Sequence, residues 1–122
     1  MNIIISNSSG EPIYEQIRNQ IRKLIISDNL KEGDSLPSIR NLAKELKISV
    51  ITTKRAYEEL ERDGFIETIP GKGSFIAAQN KELLREIKMK NVEEYLIKAI
   101  EEGKNVNVSL EELKEMLDVL YE

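Results

Sequence analysis

The sequence predicts a mainly helical α+β chain, with a folded N-terminal unit at residues 1–78 and a short helical segment at residues 79–122. Three observations lead there. Apolar residues recur at three- and four-residue steps through several separate stretches, the spacing of one buried helix face. The strand-like stretches, 65–69 and 74–77, flank a single turn, Pro70-Gly71-Lys72-Gly73. Over residues 36–75 the order is short helix, tight turn, second helix, hairpin. That order is a winged helix-turn-helix, an arrangement that places its second helix in the major groove of DNA.

The first helix is expected over residues 12–27. Pro12 suits a first turn, and Ile13, Ile17, Ile21, Leu24 and Ile25 mark its buried face. Before it, Met1 to Ser6 reads as a lead-in or edge strand. Asp28-Asn29 and Lys31-Glu32-Gly33-Asp34 form a turn-rich connection, and Ser35-Leu36 reads as a very short strand. Ser38 is an N-cap for a helix over 39–46, with Ile39, Leu42, Ala43 and Leu46 inward. After Lys47-Ile48, Ser49 caps a third helix reaching residue 63, with Ala56, Tyr57 and Leu60 inward. Gly64 ends it in a left-handed conformation. The hairpin that follows is the wing.

From residue 80 the pattern is helical again. Leu84, Val92, Tyr95, Leu96, Ala99 and Ile100 cover one broad face, while Leu83, Ile87 and Ile97 lie off it. A helix apolar over so much of its circumference needs more than one partner. Gly103 is expected to end it. Ser109-Leu110-Glu111-Glu112 is a capping box, and Leu110, Leu113, Leu117 and Leu120 form the stripe of a last short helix.

Composition removes whole classes of chemistry. The chain has no Cys and no His, so thiol and imidazole nucleophiles, His general bases and the usual zinc sites are absent; no metal, cofactor or disulfide is expected. Paired acids such as Glu58-Glu59 and Glu93-Glu94 are sequence neighbours and do not share a helix face, so they read as solvated charge and the chain reads as a non-enzyme. No apolar stretch approaches the roughly 20 residues that span a bilayer, and the opening residues lack the basic start of a signal peptide. A cytoplasmic protein with no membrane partner is expected. Hydrophobic residues make up 40% of the chain but aromatics only 5%, with no Trp, so aliphatic side chains must fill the core.

Net charge is −4, and its distribution matters more than its sum. Residues 1–78 carry 11 Lys and Arg against 11 Asp and Glu; residues 79–122 carry 7 against 11. The whole excess of acid therefore lies in the helical tail. A neutral reading unit binds phosphate weakly alone, so pairing two units would raise affinity.

Candidate contact residues follow from position. The start of a recognition helix faces base edges, so polar and basic side chains belong there. Ser49, Thr52, Thr53 and Lys54 meet that requirement, and Arg55 lies within reach of a phosphate. Each has a plainer role as well: Ser49 is a cap, and one of the two threonines can simply pack. Arg40, in the first turn of the second helix, is set to meet DNA or to pair with an acid such as Glu45. Ser38 can cap its helix and meet a phosphate, because a helix N-terminus attracts anions. Gly71, Lys72 and Gly73 form the wing tip, where glycines permit close approach and Lys72 can neutralise a phosphate or enter the minor groove. Gly-Lys-Gly-Ser echoes the end of a nucleotide-binding P-loop, but here strand flanks it on both sides and Lys72 is not followed by Ser or Thr.

With these residues in place the chain resembles the GntR family of bacterial transcription regulators, and within it the small YtrA-like subfamily. The resemblance rests on Pro12-Ile13-Tyr14-Glu15-Gln16-Ile17, Gly33-Asp34-Ser35-Leu36-Pro37-Ser38 with Arg40, Leu42 and Ala43, then Thr52-Thr53-Lys54-Arg55-Ala56-Tyr57, Leu60-Glu61, Gly64-Phe65-Ile66 and Gly71-Lys72-Gly73-Ser74-Phe75. It extends over nearly the whole length, including the short helical tail. It implies a homodimer paired through the tail by Leu84, Ile87, Val92, Tyr95, Leu96, Ala99, Ile100, Leu113, Leu117 and Leu120. It also implies an operator of two-fold symmetry, DNA contact by Arg40, and repression of a nearby operon, commonly one encoding a membrane transporter. The family often has Arg directly after the capping Ser of the recognition helix, where this chain has Val50. Val50 suits a thymine methyl and hence an A/T-rich operator. A small-molecule effector stays open, since the tail is smaller than the effector domains of larger relatives. The alternative is a winged-helix module that binds protein and not DNA, for which the acidic balance is the support.

Overall fold

In a computed structural model describing residues 1–122, helices α1 (Ile13–Ile26), α2 (Ile39–Leu46) and α3 (Val50–Arg62) precede strands β1 (Ile66–Ile69) and β2 (Gly73–Ile76). Helices α4 (Lys81–Asn105) and α5 (Leu110–Leu120) follow. The chain divides into two units, Met1–Lys81 and Glu82–Glu122. The mainly helical winged helix-turn-helix and the helical C-terminal segment are both present.

The core of the first unit is aliphatic, as the shortage of aromatics requires. Helix α1 buries Ile17, Ile21, Ile25 and Ile26. Ile13, expected on the same face, is exposed, and the buried position directly before Ile17 is not apolar at all: Gln16 lies there. Its carboxamide is fully engaged. Oε1 accepts from the Ser6 N–H at 2.8 Å, and Nε2 donates to the carbonyls of Ser6 at 3.2 Å and Glu11 at 3.0 Å. One turn on, Gln20 takes the Ile4 N–H at 2.9 Å and gives to the Ile4 carbonyl at 2.7 Å. The opening segment is therefore not a strand. It is an extended arm whose backbone groups are paired by two amide side chains, with Ile3 tucked into the core. Those bonds remove the cost of leaving buried donors and acceptors unpaired.

The two helices of the turn motif begin on serine caps. Ser38 Oγ accepts the Asn41 N–H and Ser49 Oγ accepts the Thr52 N–H, both at 3.1 Å. Lys47, at φ 59°, closes α2 in the left-handed region. Helix α3 then packs against α1 and α2 through Thr53, Ala56, Tyr57 and Leu60. The Tyr57 hydroxyl donates to the Pro37 carbonyl at 2.7 Å, tying α3 to the segment that leads into α2. Burial pushes the Tyr57 phenol up, so it stays a neutral donor. Arg18 of α1 reaches Glu59 of α3 at 3.2 Å.

Gly64, at φ 82°, terminates α3, and the chain turns into the wing. Strands β1 and β2 pair antiparallel, Ile66 with Ile76 through Ile69 with Gly73. Their loop is a turn with Pro70 at its second position and Gly71, at φ 79°, at its third, closed by the Lys72 N–H on the Ile69 carbonyl at 2.9 Å. A positive φ at that position is what a type II turn demands and glycine supplies. The other edge of β2 is covered by residues 33–36: Ser35 bridges Phe75, and the Leu36 N–H reaches the Ser74 carbonyl at 2.9 Å. The strand expected at Ser35-Leu36 is thus one bridge long.

In the tail, α4 does not stop at Gly103 but runs on to Asn105. Gly103 is buried because the chain folds back over it. A Cβ built there would lie 3.4 Å from Val108 Cβ and 3.8 Å from Leu113 Cδ2. The reversal comes at Asn107, at φ 61°, and α5 starts on a complete capping box between Ser109 and Glu112.

Two outcomes test this packing. Tyr57→Phe is expected to cost about 1–3 kcal/mol, since it leaves the Pro37 carbonyl without its donor; urea denaturation of the parent and variant measures it. Gly103→Ala is expected to be neutral or to stabilise by up to about 1 kcal/mol, because helix propensity improves and the added methyl meets ordinary van der Waals contact. Gly103→Leu is expected to lower the melting temperature of the tail.

Candidate nucleic-acid interface

The rotation of α3 decides what it presents. Thr53, Ala56, Tyr57 and Leu60 fall on one side of a helix with 3.6 residues per turn. The opposite side carries Ile51, Arg55, Glu58 and Arg62, with Val50 and Lys54 beside it; all six are exposed. The first turn of this face lies at the N-terminus of the second helix of the turn motif, the end that meets base edges in this motif.

The expected contact residues fall into distinct groups. Arg40 is exposed on the first turn of α2 and forms no ion pair, with Glu45 or any other acid. Ser38 and Ser49 are exposed caps whose hydroxyls are occupied by their helices. Thr52 is half-buried, and its hydroxyl lies 3.0 Å from Ser49 Oγ. Lys54 is exposed, with its ammonium 3.8 Å from Glu58 one turn on, a weak surface pair that water and salt screen. Gly71, Lys72 and Gly73 are exposed at the wing tip.

Thr53 is a correction. It is completely buried, and its hydroxyl donates to the Ser49 carbonyl at 3.2 Å. It belongs to the inward face of α3, in phase with Ala56, Tyr57 and Leu60, and cannot reach a duplex without leaving the core. The helical phase alone would have revealed this.

Two residues were missed. Tyr14 of α1 lies under Arg55, with the guanidinium carbon 3.7 Å from the ring centroid. Stacking of this kind holds the guanidinium flat and leaves its N–H edges available for a bidentate acceptor such as phosphate. No pattern in the sequence pairs residues 41 positions apart, a spacing that follows from the packing of α1 on α3. The second is Ile51, the most exposed large apolar side chain of the first unit at 77%. An apolar residue in a helix ordinarily reads as inward; its phase, opposite Ala56, Tyr57 and Leu60, is the signal that places it outward.

The tail exposes Val92, Tyr95, Leu96, Ala99, Ile100, Leu117 and Leu120, whereas Leu84 and Ile87 are half-buried. Leu113 is also half-buried, at the fold-back over Gly103.

A helix held by one face, an outer face bearing cations at its exposed start, and a glycine-tipped hairpin beside it define a winged-helix DNA-binding protein. Residues 13–76 match the bacterial regulatory proteins of the gntR family. The chain is 41% identical over 115 residues to the HTH-type transcriptional repressor YtrA of Bacillus subtilis, covering 94% of this chain and 88% of that one. Among solved structures, a transcriptional regulator from Oenococcus oeni superposes with a TM-score of 0.71 at 30% identity, over 97% of this chain and 98% of that one. YtrA of Sulfolobus acidocaldarius, a GntR-family transcription factor, gives a TM-score of 0.60 at 37% identity, over 74% of this chain and 96% of that one. The chain belongs to the GntR family of bacterial transcription regulators, and resembles its YtrA-like members over both units.

The corrected assignment predicts that Thr53→Val leaves duplex affinity unchanged, while Lys54→Ala lowers it. Fluorescence anisotropy on the same duplex, with circular dichroism to verify folding, measures both.

Proposed function

We propose that this regulator acts in the cytoplasm as a repressor without enzymatic activity, binding as a homodimer to an operator of two-fold symmetry. The observation that carries the DNA contact is the uncovered side of α3: the core takes one face, leaving Lys54 and Arg55 outward. In this reading Lys54 reaches a base edge, Arg40 and Arg55 hold phosphates on either side of the groove, and Lys72 follows the backbone from the wing. The capped N-termini of α2 and α3 add partial positive charge toward the same phosphates.

The homodimer is supported by the tail. Val92, Tyr95, Leu96 and Ile100 of α4 and Leu117 and Leu120 of α5 are each at least 41% exposed. That much apolar surface on two helices calls for burial, and a second copy supplies an identical face. Pairing also answers the neutral charge of the first unit, since two weak contacts joined in one particle bind far more tightly than either alone. Half-sites about one helical turn apart, roughly 34 Å, match such a dimer.

The test is a footprint on the promoter of the chain's own gene, followed by titration of the protected duplex. Lys54→Ala is expected to weaken binding by about 1–3 kcal/mol, and Arg40→Ala to reduce the salt slope by about one unit. Affinity that does not depend on salt, or is unchanged in both variants, refutes the contact assignment. Ile100→Glu with Leu117→Glu is expected to shift the sedimenting species from dimer to monomer and to weaken operator binding, with helicity retained.

A further inference from the structure

The first turn of α3 presents two adjacent β-branched side chains to solvent, Val50 at 51% and Ile51 at 77% exposure. Single exposed apolar residues are ordinary, but these two stand together at the start of the helix that faces DNA. Neither contributes to the core, and β-branched residues are not favoured in a helix for its own sake. Ile51 points directly away from the face built by Thr53, Ala56, Tyr57 and Leu60.

The hydrogen-bonding groups around them are engaged within the protein. Ser49 Oγ holds the Thr52 N–H at 3.1 Å and lies 3.0 Å from the Thr52 hydroxyl, and the Thr53 hydroxyl is directed back to the Ser49 carbonyl. What this turn offers outward is chiefly hydrocarbon. The major groove contains one hydrocarbon group among its base edges, the C5 methyl of thymine. Lys54 and Arg55 lie one helical turn further on and are exposed, which suits a polyanion bordering the contact.

We propose that Val50 and Ile51 form a methyl-reading contact, so that the first turn of α3 selects pyrimidines carrying a C5 methyl and not a particular hydrogen-bonding edge. This rests on the DNA-binding reading above and deepens it. Thymine satisfies the contact, and 5-methylcytosine, whose methyl occupies the same place in the groove, satisfies it too. Cytosine and uracil do not. Stiff, β-branched side chains suit the task because little rotamer freedom is lost when they are pressed against a base.

The experiment begins with a duplex recovered from a random library by the intact chain. Each thymine is then replaced singly by deoxyuridine, which removes the methyl and keeps the pairing edges. One or two positions in each half-site are expected to lose about fourfold in affinity, the worth of one buried methyl. At those positions C·G in place of T·A is expected to bind poorly and 5-methylcytosine·G to recover part of the loss. The double variant Val50→Ala with Ile51→Ala, folded by circular dichroism, is expected to bind the thymine and deoxyuridine duplexes alike.

A recovered duplex indifferent to deoxyuridine at every position overturns the methyl contact and leaves the DNA-binding reading intact. Full methyl sensitivity in that double variant also overturns it, because another side chain then reads the methyl. Failure to recover any duplex overturns both.

Discussion

The angular setting of α3 is the constraint on which the rest depends. Thr53, Ala56, Tyr57 and Leu60 leave one way to seat this helix against α1 and α2. The Tyr57 hydroxyl on the Pro37 carbonyl fixes its distance from the start of α2. A rotation of one residue about the helix axis, roughly 100°, would bring Thr53 out and Lys54 in. The chemistry offered to a partner is therefore set from the inside. The buried polar group in the series is tolerated because its hydroxyl has a backbone acceptor within the same turn.

The tail follows a different logic. Its fold-back depends on a small residue: Val108 and Leu113 close on α4 over Gly103 at a distance that admits a methyl but no larger side chain. Most of the large apolar groups of both helices stay outside that contact, including Val92, Tyr95, Leu96, Val119 and Leu120. The hairpin is thus organised by a small contact and finished by whatever covers its exposed faces. An acidic α5, with Glu111 and Glu112 in its first turn, adds favourable charge at a helix start but no surface for nucleic acid.

Features written in adjacent residues were legible in the sequence. Ser38, Ser49 and Ser109 begin helices, Gly64 ends one, and Pro70-Gly71 sets the wing turn, because caps and turns are decided within a few positions. Features created by folding were not. The arm held by Gln16 and Gln20 joins backbone and side chains 10 and 16 positions apart, and nothing in either stretch announces it. Gly103 looked like a helix end because glycine often is one; its role comes from a contact with the following helix. The polarity of Thr53 points outward, but its phase with Ala56 and Leu60 is the stronger signal and places it inside. Tyr14 lies in a stretch that resembles the family, but its place beneath Arg55 arises only from the packing of α1 on α3.

The first unit carries as many acids as bases, and Arg18, beside the reading helix, is already closed in an ion pair with Glu59. Attraction to arbitrary DNA comes almost wholly from unengaged positive charge, and a bacterial chromosome presents on the order of 10⁶ or more competing sites. A reading unit so balanced is expected to bind random sequence weakly. Under the proposed function, fewer copies would then be lost to the bulk chromosome and more would be left for the operator.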